Sequence, residues 1–368
     1  AFSFCLAAIF FINYTVRFSR IVDDTQILDR DGQEFGYLAK SFPSFVPQPE
    51  EFAMLETVIN ERGPVTAWQY LKSTYATTTG FIGNPHFLAH YMGKKIFKLR
   101  GSEGAEVCDE TFTYGCFHGI VEGLVANRGK SAISEARNTC YKFGSRVTAL
   151  SCIHGIGHGA MYLMADLNKS LDSCDLISET RDRFSCYSGV FMEYNISGQA
   201  QEDNKIDRHF PCNQFDKLQD ELQRNACYHV HSFRLTDLGL SREELIKECR
   251  KAPGAGGGFC VRGYGIFFLA HQALAEGPKQ IVEFCESLDE INARACAKSV
   301  ASRLAAHTQD GQYAMPFCSM FKSDYLRDSC FANMADVLRL GHGVDTKLII
   351  EDCGKYVDNP EECIKQVQ

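Results

Sequence analysis

His86 and His90 stand four residues apart, and the spacing returns in His118 and Glu122 and again in His154 and His158. Four residues is just over one helical turn, so each pair projects from one helix face with Cβ atoms about 5–6 Å apart. Imidazoles and a carboxylate in that pattern are a recurrent donor set for zinc, iron or copper. The chemistry on offer is ion binding, with an activated water at any open coordination position. The HExxH signature of zinc proteases is absent, as is any G-x-S-x-G nucleophile elbow.

The pairs fall in register with the cysteines. His118 lies two residues after Cys116 and His154 two after Cys152, so Glu122 aligns with His158. The same positions hold Ser188 and Met192 in the next unit, with Glu193 and Asn195 just beyond; later units offer His229 and His231, then Arg262, then Lys298. Ligand chemistry therefore fades along the chain, whereas a purely structural consensus would continue. The expected metal ligands are His86, His90, His118, Glu122, His154 and His158, with Glu193 and His229 as outer partners. The competing reading is structural: a repeated histidine serves only to hydrogen-bond a neighbouring hairpin, and 11 histidines yield some four-residue spacings by chance.

Helices must place these groups, and the cysteines outline them. Sixteen of 17 cysteines form consecutive pairs: Cys108 and Cys116, Cys140 and Cys152, Cys174 and Cys186, Cys212 and Cys227, Cys249 and Cys260, Cys285 and Cys296, Cys318 and Cys330, Cys353 and Cys363. Separations within a pair run from 8 to 15 residues, and successive pairs begin 32 to 38 residues apart. A fixed period in that range marks a helical-hairpin repeat array. No C-x2-C spacing occurs, which disfavours cysteine-held metal clusters and favours disulfides in an oxidising compartment: periplasm, lumen or cell exterior. Connectivity is not fixed by sequence; pairing within each hairpin is the simplest scheme because it repeats.

Each unit reads as a helix carrying the earlier cysteine near its end, a short loop, and a second helix opened by the later cysteine. Apolar residues recur at helical spacing and no strand-type alternation repeats, so the expected fold is all-α: a right-handed solenoid of disulfide-stapled hairpins. Glycines three residues after the cysteine (Gly119, Gly155, Gly189, Gly263) predict close helix–helix approach. Residues 108–368 form the array. Residues 50–107 read as a helical opening unit, with helices over PEEFAMLETVINERG, PVTAWQYLKSTYA and HFLAHYMGKKIFKLRG, and residues 20–49 as a linker. Residues 1–19 contain an apolar run expected to serve as a transmembrane anchor, with a signal-peptide remnant as the alternative.

In period and cysteine placement, residues 108–363 resemble the tetratricopeptide and Sel1-like superfamily, particularly its cysteine-rich secreted members. That resemblance implies partner binding on a concave face. The Trp, Ala and Pro signatures of tetratricopeptide units are missing, and Trp68 lies outside the array.

A net charge of −8 and a pI near 5.8, with no basic stripe, exclude a nucleic-acid footprint. GAGGG at 254–258 lacks the Lys-Ser/Thr of a phosphate loop. Two functions remain in view. One is a membrane-anchored extracytoplasmic solenoid with a His/Glu transition-metal site on its first repeats, open to metalloenzyme chemistry. The other is an interaction module or accessory subunit of a membrane complex, gripping a protein or peptide partner without catalysis.

Overall fold

The computed structural model describes residues 47–75, 84–215 and 221–368. The expected anchor at 1–19 and the linker as far as residue 46 lie outside the described residues. Among the described residues every regular element is helical, and no helix is long and apolar enough to cross a membrane.

The opening unit starts with α1 (Pro49–Thr74), whose first turn is set by Pro49 and by the Glu51 carboxylate accepting the Gln48 N–H at 2.6 Å. The two helices expected here are joined end to end. They bend at Gly63, where φ is 80°, because Pro64 has no N–H for a straight ladder. Next comes α2 (Asn84–Arg100), which carries His86 and His90 and runs into a 3-10 turn at Gly101–Val107.

The hairpins follow in order: α3 (Gly115–Arg128), α4 (Ile133–Cys140), α5 (Arg146–Met164), α6 (Leu167–Cys174), α7 (Thr180–Ile196) and the short α8 (Gln199–Asp203). Then come α9 (Glu221–Asp237), α10 (Arg242–Cys249) and α11 (Gly256–Tyr264), which passes through a π-turn at Gly265–Leu269 into α12 (Ala270–Glu276). The chain ends with α13 (Lys279–Glu286), α14 (Glu290–Thr308), α15 (Ala314–Ser319), α16 (Asp324–Asp336) with a π-turn at Val337–Gly341, α17 (Thr346–Tyr356) and α18 (Pro360–Val367).

Two details differ from the sequence reading. Apart from Cys116, the second residue of α3, the later cysteine does not open its helix: α5, α14 and α16 begin six residues ahead of Cys152, Cys296 and Cys330. The same holds for Cys227, Cys260 and Cys363, which lie inside α9, α11 and α18 and not at their starts. For α5 and α14 the cause is side-chain capping, because Ser145 Oγ accepts from Thr148 N at 3.2 Å and Asp289 Oδ1 from Asn292 N at 3.3 Å, which starts the helix earlier. In α18 it is Pro360 at the first turn, whose fixed φ suits a helix start. The earlier cysteine is also not always helical, since Cys108 follows the 3-10 turn and Cys212 sits in one.

All eight disulfides close within their own hairpins, with Cα–Cα distances between 5.4 and 5.8 Å. Cys108 is bonded to Cys116, Cys140 to Cys152, Cys174 to Cys186 and Cys212 to Cys227. Cys249 is bonded to Cys260, Cys285 to Cys296, Cys318 to Cys330 and Cys353 to Cys363. For loops this short each bridge adds roughly 3 kcal/mol. A chain dependent on them belongs in an oxidising, extracytoplasmic environment.

The second helices pack in a row, α2 on α3, then α5, α7, α9, α11, α14 and α16 in turn. Glycine sets their spacing. A Cβ on Gly119 would fall on the His90 carbonyl oxygen, and one on Gly189 on the His154 carbonyl oxygen, so any side chain there would drive the helices apart. The row also turns back on itself. Arg303 Nη2 on α14 donates to Thr113 Oγ1 ahead of α3 at 2.7 Å, and Gly341 meets Val147 of α5. The second helices thus line a partly open cavity of about 1360 Å³.

Candidate metal centre

Three neighbouring helices bring five imidazoles to one end of that cavity. His86 and His90 come from α2, His118 from α3, and His154 and His158 from α5. The ring centroids of His90 and His118 are 4.8 Å apart, those of His118 and His154 5.7 Å, and those of His154 and His158 4.8 Å. The close approach follows from the glycine seam: Gly119 lies on the His90 backbone, and a Cβ on Gly155 would stand 2.7 Å from His118 Cα.

The hydrogen-bond network decides which nitrogen of each ring carries a lone pair. His86 Nδ1 lies 2.7 Å from the Phe112 carbonyl, which can only accept, so Nδ1 holds the proton. His90 Nδ1 donates to Glu122 Oε1 at 2.7 Å, and His158 Nδ1 to Glu193 Oε2 at 2.7 Å. His154 Nδ1 meets Ser188 Oγ at 2.8 Å. The Ser188 hydroxyl proton is already donated to the Ser185 carbonyl at 2.8 Å, so Ser188 accepts from His154. In all four rings the lone pair is therefore on Nε2.

This arrangement is the outer-partner pattern of metal-bound histidine, in which a carbonyl or carboxylate fixes the tautomer and raises the basicity of the ligating nitrogen. His86 Nε2 and His90 Nε2 then face one another at 3.0 Å, two lone pairs when both rings are neutral, which a metal ion or a shared proton would bridge. His118 Nδ1 lies 3.0 Å from His90 Nε2, and its own Nε2 is buried without a hydrogen-bond partner. One donor atom from each of His86, His90 and His118 falls within 4.8 Å of the others, so these three could hold a metal ion. Two nitrogens on one tetrahedral zinc ion stand about 3.3 Å apart at ordinary bond lengths, a shift of a few tenths of an ångström from the observed separation.

Electrostatics keep the donors available. Burial, and next the neighbouring imidazole of His90, hold His86 and His118 well below the usual histidine range; burial and then His158 do the same for His154. Burial alone would raise Glu122, but the neighbouring His90 and Lys94 outweigh it and keep it a carboxylate. Lys94 Nζ lies 3.2 Å from Glu122 Oε2 and also over the Tyr162 ring.

The expected set therefore divides. His86, His90 and His118 converge; Glu122 stands behind His90 with an oxygen on Lys94; His154 and His158 extend the imidazole cluster toward Ser188 and Glu193. Glu193 is the outer partner of His158. His229 sits farther along the wall, between the rings of Phe184 and Phe267 at 5.7 and 5.4 Å, and burial and then Arg262 push it down to about 3.

Sequence reasoning missed two members. Lys94 continues the four-residue spacing of His86 and His90 and was legible on that ground. The Phe112 carbonyl carries no side-chain signal at all. His209 and His231 have structural settings: His209 Nε2 bonds Glu248 Oε2 at 3.2 Å, and His231 Nδ1 lies 3.6 Å from Cys212 Sγ.

No protein-family model, curated protein or solved structure matches this chain.

Proposed function

We propose that the protein is an extracytoplasmic, membrane-anchored α-solenoid whose first repeats hold a catalytic transition-metal ion on His86, His90 and His118. The observation that carries this reading is the 3.0 Å separation of two lone-pair nitrogens, His86 Nε2 and His90 Nε2, each with its other nitrogen committed to a fixed acceptor. Two such nitrogens repel unless a metal ion or a shared proton lies between them, and the metal content decides which. Imidazole-rich donors suit zinc, copper or ferrous iron, and three protein ligands beside a cavity leave a position for water or substrate. A bound ion would supply Lewis acidity and an acidified water. Around it, Glu193 and Glu122 orient imidazoles, and the His154–Ser188 and His158–Glu193 pairs stand ready to relay a proton toward the cavity.

The return of the row on itself favours a small ligand over a peptide. Contacts of Arg303 with Thr113 and of Gly341 with Val147 bridge the inner face that a binding solenoid would leave as a continuous groove.

Elemental analysis of the purified protein tests the reading. About one transition-metal ion per chain is expected, lost in His90→Ala and His118→Ala and largely retained in His209→Ala, a histidine outside the cluster. Equal metal content in all three variants would remove the proposal.

A further inference from the structure

The wall beyond the imidazoles has a chemistry of its own. Ile266, Phe267 and Phe268 are consecutive, yet all three line the cavity and remain half-buried. Three successive residues of an ordinary α-helix fan across about 200°, so one surface would normally receive only part of such a run. The π-turn at Gly265–Leu269 widens the helix here and presents all three. Turns of this kind concentrate at functional sites. The Phe267 and Phe268 rings join a continuous aromatic surface: Phe233 lies 5.1 Å from Phe267 and 5.0 Å from Phe268, and His229 bridges Phe267 to Phe184. Apolar surface left open to water on this scale is costly and marks a place for an apolar ligand.

Arg262 lies one turn before Ile266 and also faces the cavity. Its side chain is exposed to the cavity water although protein surrounds it. No carboxylate lies within ion-pair distance of Arg262 or of Arg181 among the described residues; the charge that Arg262 feels most strongly is that of Arg181, a like charge on the same cavity. Burial, then this repulsion, push the Arg262 guanidinium below its ordinary value. Two guanidinium groups lining one cavity, neither within ion-pair distance of a carboxylate among the described residues, are each half of an ion pair.

We infer that the cavity binds an amphipathic organic anion, with a carboxylate or phosphate monoester head on Arg262 and Arg181 and an apolar chain along Ile266, Phe267 and Phe268. Binding rests on this wall; that the anion is the substrate rests on the metal-centre reading, since the same cavity ends at His86, His90 and His118.

Calorimetric titration of the disulfide-intact protein with octanoate, octyl phosphate, octanol and inorganic phosphate tests it. At least one of the two amphipathic anions should bind about tenfold or more tightly than octanol and than inorganic phosphate, because a charge-assisted pair is added to apolar burial; which of the two leads identifies the head group. Arg262→Gln should erase the advantage over octanol with the melting temperature unchanged, and Phe267→Ala should weaken octanoate, octyl phosphate and octanol alike. No binding of either anion, equal binding of octanol, or an anion preference that survives in Arg262→Gln would overturn the inference. Metal content measured on the same samples before any chelation separates the two readings: an Arg262-dependent anion preference in protein that carries no metal as purified leaves this inference standing and removes the metal centre.

Discussion

Gly119 rests on the carbonyl oxygen of His90, with no room for even a methyl group between them. The contact fixes the separation of α2 and α3, and with it the 3.0 Å approach of His118 Nδ1 to His90 Nε2. Stability and site geometry are therefore coupled through one hydrogen atom.

Replacing that hydrogen should separate them. Gly119→Ala puts a Cβ onto backbone, which cannot swing aside, so overpacking of about 1–3 kcal/mol or more should exceed the ~1 kcal/mol gain in helix propensity. Thermal melts should show a drop of several degrees and elemental analysis a loss of bound metal. Gly258→Ala is the control, since a Cβ there meets nothing within 4 Å. It should leave both unchanged or raise the melting temperature slightly. Equal behaviour of the two variants would refute the seam.

Glu122 should act on metal through His90. Glu122→Gln keeps an oxygen for the His90 Nδ1 proton but removes the charge that faces Lys94 at 3.2 Å. Loss of such an outer partner typically costs 10–100-fold in metal affinity. A competition titration with a coloured chelator should show about tenfold weakening with little change in melting temperature. Unchanged affinity would mean that Glu122 plays no part in the centre.

Acid should destabilise the metal-free protein below neutrality. His86, His118 and His154 have folded-state pKa values held below the ordinary 6.5 by burial and neighbouring imidazoles. As pH falls through 6.5 the unfolded chain takes up these protons and the native state does not, so stability is complete above that value and declines beneath it. Each such group contributes up to about 1.4 kcal/mol per pH unit. Glu122, also held below its ordinary value, adds its loss only as the pH falls below the ordinary carboxylate range. Denaturant midpoints for chelated protein should fall from pH 7 to pH 5; a flat profile would show the rings to be free to ionise in the fold.

Thiol chemistry checks the staple pattern. Sixteen of the 17 cysteines are paired, leaving Cys5, which lies outside the described residues. Denatured, unreduced protein should titrate one thiol per chain. Removing a bridge with Cys174→Ala and Cys186→Ala together should cost roughly 3 kcal/mol. Several free thiols would contradict the array.

Much of the architecture was legible because it is local and repeats. Cysteine spacing indicated the hairpins, and pairing within each hairpin is what the structure contains. Register relative to Cys116 and Cys152 brought His118 and His154 to matching heights. Glycine recurrence foretold the close helix approach. What escaped notice is either non-local or carried by backbone. Arg303 and Thr113 are 190 residues apart, and no short pattern announces that the row closes on itself. The π-turn that exposes Ile266, Phe267 and Phe268 has no compositional mark. Helix starts were placed too late because Ser145 and Asp289, the caps, lie about two turns ahead of the cysteines used as landmarks.

Anomalous diffraction from crystals of the protein as purified, with data on both sides of the zinc, copper and iron absorption edges, bears most directly on the centre. A scatterer is expected within about 2.0–2.1 Å of the Nε2 atoms of His86 and His90, with His118 as its third protein ligand. Well-ordered rings at full occupancy with no anomalous signal among them, in protein that had met neither chelator nor acid, would contradict it.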